Sequence, residues 1–336
     1  MMNLQKCAVI GTGFVGATAA YTLATSGLFS ELILLDVNRA KADGEAADIS
    51  HGVSFAQPCA VHAGDYQDLK DCGLVILAAG ANQKPGETRI DLLHRNEAIL
   101  QGILGAVMSV TPDCILLVVS NPVDLLTYLC QKLSGLPAHR VIGTGTVLDT
   151  ARLKYLVGQY LQVDSRNVHA FIIGEHGDSE LAVWSSANVS GMDLPDYCRV
   201  TGKEFSQSIL DDIYQNVRDA AYHIIEGKGA TYYGIGMAVL RIARAIVRGE
   251  RSVLPVSSVI QGRYGVEEIC LGLPSVVGQN GIEAVLDPPL SYEERKRLES
   301  SAPKLRPVWE DLRRGMYPPK KKKPARRGVF SSKLCF

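Results

Sequence analysis

The chain has 336 residues, of which 46% are hydrophobic and 21% charged, so it can form the core of one large domain or of two ordinary ones. No apolar run reaches the roughly 18 to 20 residues that a membrane helix needs. The N-terminal segment lacks the basic start and small-residue cleavage site of a secretory signal. The sequence therefore predicts a globular cytoplasmic protein without a membrane span.

The charge is balanced overall, with 35 basic and 35 acidic residues, but it is unevenly distributed. The last 17 residues, 320–336, contain seven basic residues and no acid, which leaves the body of the chain with 28 basic and 35 acidic residues. An acidic body argues against nucleic acid as the main partner. We expect 316–336 to be a disordered basic tail, with an anionic surface as the alternative partner.

Eight cysteines are scattered along the chain, and none forms a C-x-x-C pair. Zinc binding and dithiol redox chemistry are therefore not indicated. Most of the cysteines lie in apolar stretches, as small buried hydrophobic residues do. We expect free thiols in a reducing compartment, with no metal site.

In the first half of the chain, short apolar runs alternate with helical patterns such as 14–27. Runs of this kind are typical of strands that are buried on both faces. The alternation predicts a doubly wound α/β fold with a parallel sheet, over residues 1–145. The predicted strands span 7–11, 31–36, 74–80, 114–120 and 140–145.

Beyond residue 145 the pattern changes, and a second, mixed α/β domain is predicted over 146–315. It starts with a helix at 148–161 and a strand at 168–173. Two further helices are predicted at 203–226 and 233–248. A hairpin formed by 253–260 and 269–278 follows, and then a charged closing helix at 291–315.

A glycine-rich turn, "VIGTGFVG", follows the first predicted strand with the spacing G-x-G-x-x-G. Gly11 permits a tight turn, Gly13 lets a pyrophosphate approach the backbone, and Gly16 lets helix and strand pack closely. Such glycines also occur in ordinary turns. Here, however, the second strand ends at Asp36, which can accept hydrogen bonds from a ribose 2′-hydroxyl and repels a 2′-phosphate. The combination predicts NAD rather than NADP.

Two further segments follow predicted strands and should lie at the same edge of the sheet. "GANQKPGETR" (80–89) has the composition of a loop that closes over a ligand, and Arg89 lies where it meets the next helix. In "VVSNPVD" (118–124), Asn121 is placed either to contact a ligand or to cap the following helix. The full set of predicted NAD-binding residues is Gly11, Gly13, Phe14, Val15, Gly16, Asp36, Gly80, Ala81, Ser120 and Asn121.

Asp149 and Arg152 share one face of a predicted helix, and in isolation they would be read as a surface ion pair. His176, in "IIGEHGDSE", changes that interpretation. Reduction of a ketone by a nicotinamide needs a proton donor, and the ordinary pKa of histidine suits that task. Asp149 could orient the ring, and Arg152 could then bind a substrate carboxylate through two parallel bonds.

Together these motifs resemble those of the lactate/malate dehydrogenase family. The resemblance runs from residue 6 to about 310 and includes "VIGTGFVG", "AGANQKPGETR", "SNPVD", "GTGTVLDTARL", "NVHAFIIGEHGDSE" and "GKGATYYGIGMA" in the family's order. It implies reversible hydride transfer between NADH and a 2-oxo acid. In this fermentative reaction NAD is regenerated for glycolysis.

The resemblance also implies roles for single residues. It makes His176 the proton donor and acceptor, Asp149 the residue that orients it, and Arg152 the ligand of the substrate carboxylate. Arg89 would polarise the carbonyl, and Asn121 would contact cofactor and substrate. Thr231 would line the substrate pocket.

One position separates the lactate from the malate enzymes of the family. Malate enzymes carry an arginine early in the mobile loop, where this chain has Gln83. A neutral amide leaves the second carboxylate of oxaloacetate uncompensated in a closed site. We therefore expect pyruvate and lactate as substrates.

Members of the family from bacteria suggest a homotetramer that fructose 1,6-bisphosphate activates. The matching positions are Lys154 and His169, and the lysine lacks the bidentate grip of the more usual arginine. Activation therefore remains open at this point.

Three other functions are compatible with parts of the sequence. A dehydrogenase of larger 2-oxo acids would use the same residues in a wider pocket. A non-catalytic binding protein could keep the fold, but it would not need His176, Arg89 and Arg152 together. NAD-dependent glycosidases of related fold need a metal held by Cys and His, and no such cluster accompanies these motifs.

Overall fold

The computed structural model describes residues 2–81, 89–265 and 268–300, with the backbone alone for 89–93. Nine of the strands in this part of the chain form one sheet, in the order β14-β13-β12-β6-β5-β4-β1-β2-β3. Six are parallel: β1 (Asn3–Ile10), β2 (Glu31–Leu35), β3 (Ala60–Ala63), β4 (Cys72–Leu77), β5 (Ile115–Val118) and β6 (Val141–Gly143). Five of them correspond to predicted strands, whereas β3 was not predicted from the sequence.

The order of the parallel strands, 3-2-1-4-5-6 with the reversal between β1 and β4, is that of a dinucleotide-binding doubly wound sheet. The predicted α/β fold is confirmed. Four helices connect the strands: α1 (Phe14–Ala24), α2 (Arg39–Val53), α3 (Arg89–Val110) and α4 (Val123–Ser134). The central strands β4 and β5 are buried at every residue, which explains their uninterrupted apolar sequence.

Among the described residues, the second half of the chain adds four complete helices, eight strands and a helical segment at 292–300. The helices are α5 (Val147–Leu161), α6 (Leu194–Thr201), α7 (Gln207–Lys228) and α8 (Tyr233–Val247). The strands are β7 (Val168–His169), β8 (Ile172–Ile173), β9 (Leu181–Ala182), β10 (Asn188–Val189), β11 (Met192–Asp193), β12 (Ser252–Ile260), β13 (Ile269–Gly278) and β14 (Gly281–Val285).

The predicted hairpin is confirmed, because β12 and β13 pair antiparallel over nine residue pairs. It does not, however, lie in a separate sheet of the second half. Ser257 of β12 pairs with Gly143 of β6, so the hairpin extends the parallel sheet. A Cβ atom on Gly143 would lie 2.9 Å from the Ser257 Cβ, so glycine is needed where the two halves of the sheet meet.

The prediction of one continuous strand at 168–173 was wrong. The structure divides this segment into β7, which pairs with β10, and β8, which pairs with β9. The helix predicted at 14–27 ends at Ala24, and that predicted at 203–226 begins at Gln207. Of the closing helix predicted at 291–315, residues 292–300 are helical and the remainder lies outside the described residues.

The described helices include none that is long and apolar enough to cross a bilayer. The cysteines in this part of the chain form no disulfide, and six of the seven are buried. The tail at 316–336 lies outside the described residues.

Candidate active site

The segments predicted to bind NAD meet at one edge of the sheet, where the parallel strands end. The glycine-rich turn follows β1, and Asp36 follows β2 directly. Gly80 and Ala81 lie beyond β4, and Ser120 lies beyond β5. This edge is where open α/β sheets bind their ligands, next to the reversal in strand order between β1 and β4.

The geometry of the glycine turn fits a bound pyrophosphate. Gly11 has φ +97°, and a Cβ atom there would lie 2.5 Å from the Ala79 nitrogen. A Cβ atom on Gly16 would lie 1.8 Å from the Gly11 oxygen, so α1 could not pack against the turn. Around Gly13, in contrast, no described atom other than those of its two chain neighbours lies within 4 Å of a Cβ position. The backbone at Gly13, at the N-terminus of α1, is therefore open to an anion.

Asp36 is held in place by the same turn. Its carboxylate accepts hydrogen bonds from the Thr12 backbone nitrogen at 2.7 Å and hydroxyl at 3.1 Å, and from the Asn38 backbone nitrogen at 2.9 Å. Partial burial by itself would raise the pKa of Asp36, but these hydrogen bonds lower it. The group is therefore a fixed anion, suited to a ribose diol and unfavourable to a 2′-phosphate.

Asp36→Asn is expected to improve the use of NADPH. The amide keeps an oxygen to accept from Thr12, while removal of a charge clash of about 1 to 3 kcal/mol corresponds to about 5- to 150-fold in kcat/KM for NADPH. Steady-state rates with NADPH and NADH measure this ratio. Asp113→Asn, which removes an exposed charge before β5, is the control. An unchanged NADPH:NADH ratio in Asp36→Asn would contradict the assignment.

The first residue of α1 connects the cofactor turn to the second half of the chain. Phe14 is 71% exposed and stacks on Tyr232, with 5.4 Å between the ring centroids, while Val15 packs on the core. The Lys228 ammonium lies 3.4 Å from the Tyr232 ring centroid. Thr231 precedes this tyrosine and is half-buried, so the pocket residue implied by the resemblance lies beside the cofactor turn.

Polar side chains fix the strand ends beside this turn. The buried Asn96 accepts from the Ala81 backbone nitrogen at 2.8 Å, and the Ser120 hydroxyl donates to the Ala79 oxygen at 2.6 Å. The exposed Asn121 accepts from the Val123 backbone nitrogen at 3.2 Å, which resembles the helix cap considered from the sequence. This bond uses only the side-chain oxygen, so the amide NH₂ group can still donate to a ligand.

His176 and Asp149 lie in direct contact, although 27 residues separate them. The His176 Nδ1 is 2.7 Å from the Asp149 Oδ2, and the Arg152 Nη1 is 2.8 Å from the Asp149 Oδ1. A carboxylate only accepts, so Nδ1 carries the hydrogen and Nε2 is the nitrogen left for a substrate. The Asp149 side chain is 3% exposed and that of His176 is 28% exposed. A buried acid thus orients a ring that a ligand can reach.

The charges around His176 favour its protonated form. Burial lowers its pKa, but the Asp149 carboxylate outweighs that effect, with smaller contributions from Asp124 and Glu180, and the pKa rises to about 9. Burial likewise acts to raise the pKa of Asp149, yet the charges of His176 and Arg152 lower it. The pair is therefore an imidazolium beside a carboxylate at neutral pH.

Two buried acids beside His176 had no role in the sequence interpretation. Asp124 accepts from the His176 backbone nitrogen at 2.8 Å. Glu180 lies near the His176–Asp149 pair, and burial, with the Asp149 charge, raises its pKa well above the ordinary range. The signal for both was present, because a carboxylate stands in the apolar run "NPVDLL" and another follows His176 by four residues.

Asp149, His176 and Glu180 offer ligand atoms that lie within 4.8 Å of one another. A cation there would compete with Arg152 for Asp149 and with the hydrogen on His176 Nδ1. We therefore interpret these three side chains as a cluster that keeps His176 protonated, and not as a metal site.

Other predicted residues lie apart from this cluster or outside the described part of the chain. Lys154 is half-buried on α5, and His169 is exposed on β7. Gln83 and the side chain of Arg89 lie outside the described residues.

Two family models cover most of the chain. The NAD binding domain of lactate/malate dehydrogenase matches residues 5–143, and the alpha/beta C-terminal domain of lactate/malate dehydrogenase matches residues 146–313. The chain belongs to the lactate/malate dehydrogenase family. It is thus an NAD-binding member of an oxidoreductase family, in agreement with the glycine turn and Asp36. The C-terminal match ends at residue 313, before the basic tail.

Two similar members of the family are named L-lactate dehydrogenases. The L-lactate dehydrogenase of Acetivibrio thermocellus is 50% identical over 309 residues, which cover 92% of this chain and 98% of that protein. L-lactate dehydrogenase 1 of Clostridium acetobutylicum is 50% identical over 306 residues, with coverage of 91% and 98%.

Solved structures of the family have the same fold. A lactate dehydrogenase from a Medee basin deep-sea metagenome library superimposes with a TM-score of 0.90 at 48% identity, covering 93% of this chain and all of that one. The minor L-lactate dehydrogenase of Enterococcus mundtii in its ligand-bound form gives 0.88 at 44% identity, with coverage of 91% and 98%.

Proposed function

We propose that this member of the family is an L-lactate dehydrogenase, which interconverts pyruvate and NADH with (S)-lactate and NAD⁺. The observation that carries the proposal is the contact of His176 with a buried Asp149 that also pairs with Arg152. It places a proton donor, His176, next to a cation that can bind a substrate carboxylate, Arg152. The names of the relatives at 50% identity support the same substrate.

In this proposal, bound NADH supplies a hydride to the carbonyl carbon. His176 donates the proton on Nε2 to the carbonyl oxygen, and Asp149 holds the ring through Nδ1. Because the charged ring loses its proton in this direction, reduction needs the imidazolium. Oxidation of lactate needs the neutral ring.

Arg152 would bind the substrate carboxylate. Only its Nη1 pairs with Asp149, so the guanidinium retains further donors for two parallel bonds. Arg89 would polarise the carbonyl as charge develops on its oxygen. Asn121 would hydrogen-bond cofactor and substrate, and Thr231 would line the pocket.

Oxidation of NADH with pyruvate, with oxaloacetate and with branched 2-oxo acids tests the proposal. Turnover of pyruvate at a higher kcat/KM than the other two is the expected result. Preference for oxaloacetate would reassign the chain to malate, and preference for a branched acid would reassign it to larger substrates. Turnover of none of them would leave a binding protein with the family fold.

We also propose Lys154 and His169 as parts of an effector site for fructose 1,6-bisphosphate. Burial and the nearby Arg241 charge lower the pKa of Lys154, so an anion there would relieve the repulsion between two cations. The bisphosphate is expected to lower the pyruvate concentration needed for half-maximal rate, and Lys154→Gln to abolish that response. A saturation curve that the bisphosphate does not move would disprove this site.

The assembly that we propose is a homotetramer. Large apolar side chains remain exposed on α1, α5 and α8, namely Tyr21, Tyr155 and Met237. Such groups are typical of surfaces that associate. Light scattering after gel filtration measures the mass. We place the enzyme in the cytoplasm, in fermentative regeneration of NAD.

A further inference from the structure

Asp124 is a buried acid in the first turn of α4, and its carboxylate joins two other segments. Its Oδ2 accepts from the His176 backbone nitrogen at 2.8 Å, and its Oδ1 accepts from the Ser257 hydroxyl at 2.5 Å. These partners lie 52 and 133 residues further along the chain. The residue is 4% exposed, and the adjacent Val123 and Leu125 are buried.

A buried carboxylate at this position lowers the stability of the fold, so its presence needs an explanation. Burial of an acid without a cation is unfavourable, and among the described ion pairs none includes Asp124. Two hydrogen bonds and the N-terminus of α4 offset part of that cost. If the residue only filled space in the core, an apolar side chain such as those of Val123 and Leu125 would make the fold more stable.

The segment that carries His176 needs such an anchor. Glycines flank it, and Gly174 and Gly177 have φ of +95° and +146°, which other residues rarely adopt. The ring is fixed by Asp149 of α5, but this contact constrains Nδ1 alone. The bond from Asp124 fixes the main chain of the same residue, and Ser257 connects that anchor to β12.

We propose that Asp124 is a positioning residue for His176, whose carboxylate fixes the His176 main chain against α4 and β12. The negative charge of the same carboxylate also favours the imidazolium form of His176. The inference rests on the proposed function, because it assumes that His176 delivers the proton. Two anchors on different helices determine the direction of Nε2. With one anchor the ring could pivot about Nδ1.

The Asp124 carboxylate is one of several charged groups that face His176. Asp149 of α5 contributes most, and Glu180 on the same loop as His176 adds a smaller part. The Arg152 cation beside Asp149 acts in the opposite direction on the ring. Burial raises the pKa of Asp124 to about 6, against the hydrogen bonds from Ser257 and His176, so the group is an anion at neutral pH.

Asparagine and alanine at position 124 separate charge from geometry. In Asp124→Asn the amide oxygen can accept from His176 while the NH₂ group donates to Ser257. Only the charge is then lost, so the pKa of His176 falls and the decline of kcat/KM for pyruvate moves to lower pH. In Asp124→Ala both bonds are lost, and we expect kcat to fall about 100-fold, as for a misplacement of about 1 Å, with little change in the KM for NADH.

Thr127→Val is the matched control. Thr127 is buried on the same helix, and its hydroxyl donates within the helix to Val123 at 2.7 Å. The control should lower stability without moving the pH profile. Ser257→Ala should have an intermediate effect, because Asp124 loses one of its two partners.

The rate at which diethyl pyrocarbonate modifies His176 as a function of pH gives its pKa without turnover, with His176→Gln as the blank. A lower pKa in Asp124→Asn, with wild-type kcat near pH 6, supports the inference. The same pKa and pH profile as in wild type, or a loss of kcat in Asp124→Asn as large as in Asp124→Ala at every pH, overturns it. If the wild type does not reduce pyruvate, the proposed function fails, whereas the modification experiment still reports on Asp124.

Discussion

His176→Gln is expected to lower kcat for pyruvate reduction by about 10²- to 10⁴-fold, the usual contribution of a positioned general acid. Glutamine keeps a polar side chain of similar length but donates no titratable proton. NADH binding, followed by fluorescence, should be retained because the substitution leaves the glycine turn and Asp36 unchanged. His62→Gln on β3 is the control for loss of a histidine.

The pH dependence of the wild type follows from the same pair. With a His176 pKa of about 9, kcat/KM for pyruvate should be level near neutral pH and fall above about pH 9, as the imidazolium loses its proton. Lactate oxidation should rise over that range, because it needs the neutral ring. Asp149→Asn removes the carboxylate that raises this pKa, so the decline should move toward neutral pH.

A His176→Gln variant with wild-type kcat would exclude His176 as the proton donor. An Asp149→Asn variant with an unshifted profile would mean that the 2.7 Å contact does not control the charge of the ring. In that case another acid would have to supply it, and Asp124 and Glu180 are candidates among the described residues.

Gln83→Arg is expected to shift preference from pyruvate toward oxaloacetate. Gln83 lies outside the described residues, so this prediction rests on the sequence and the family pattern. An unpaired carboxylate in a closed site costs roughly 3 kcal/mol, which corresponds to about 100-fold in kcat/KM. The ratio of kcat/KM for the two substrates is the quantity to measure.

Gln101→Arg, which places the same charge on the exposed face of α3, is the matched control. It should leave the substrate ratio unchanged. An equal change in both variants would point to a general effect of charge, and an unchanged ratio in Gln83→Arg would refute the role of the position.

The first half of the fold and its cofactor turn could be predicted from sequence because their signals are local. A strand buried on both faces needs an apolar run. The turn at residue 11 needs glycine, because φ is +97° there and the Ala79 backbone leaves no room for a Cβ atom. The position of Asp36 then follows from the length of one helix and one strand. Boundaries were less accurate, since α1 ends at Ala24 and not at 27.

The site was only partly accessible in this way. Asp149, Arg152 and His176 were joined on chemical grounds and by the resemblance, and the structure places them in contact. Asp124 and Glu180 were assigned no role from the sequence, because only the packing of the chain shows that both acids are buried beside His176.

The sequence by itself determined the parallel sheet, the NAD-binding turn and the types of residue available for catalysis, because these depend on patterns within about 30 residues. Only the tertiary structure decided that the 168–173 segment divides between two small sheets and that β12 extends the main sheet at Gly143. It alone decided that Asp124 and Ser257, 133 residues apart, meet behind His176. Such contacts depend on how the helices and sheet pack, and packing between distant segments leaves no period or spacing in the chain.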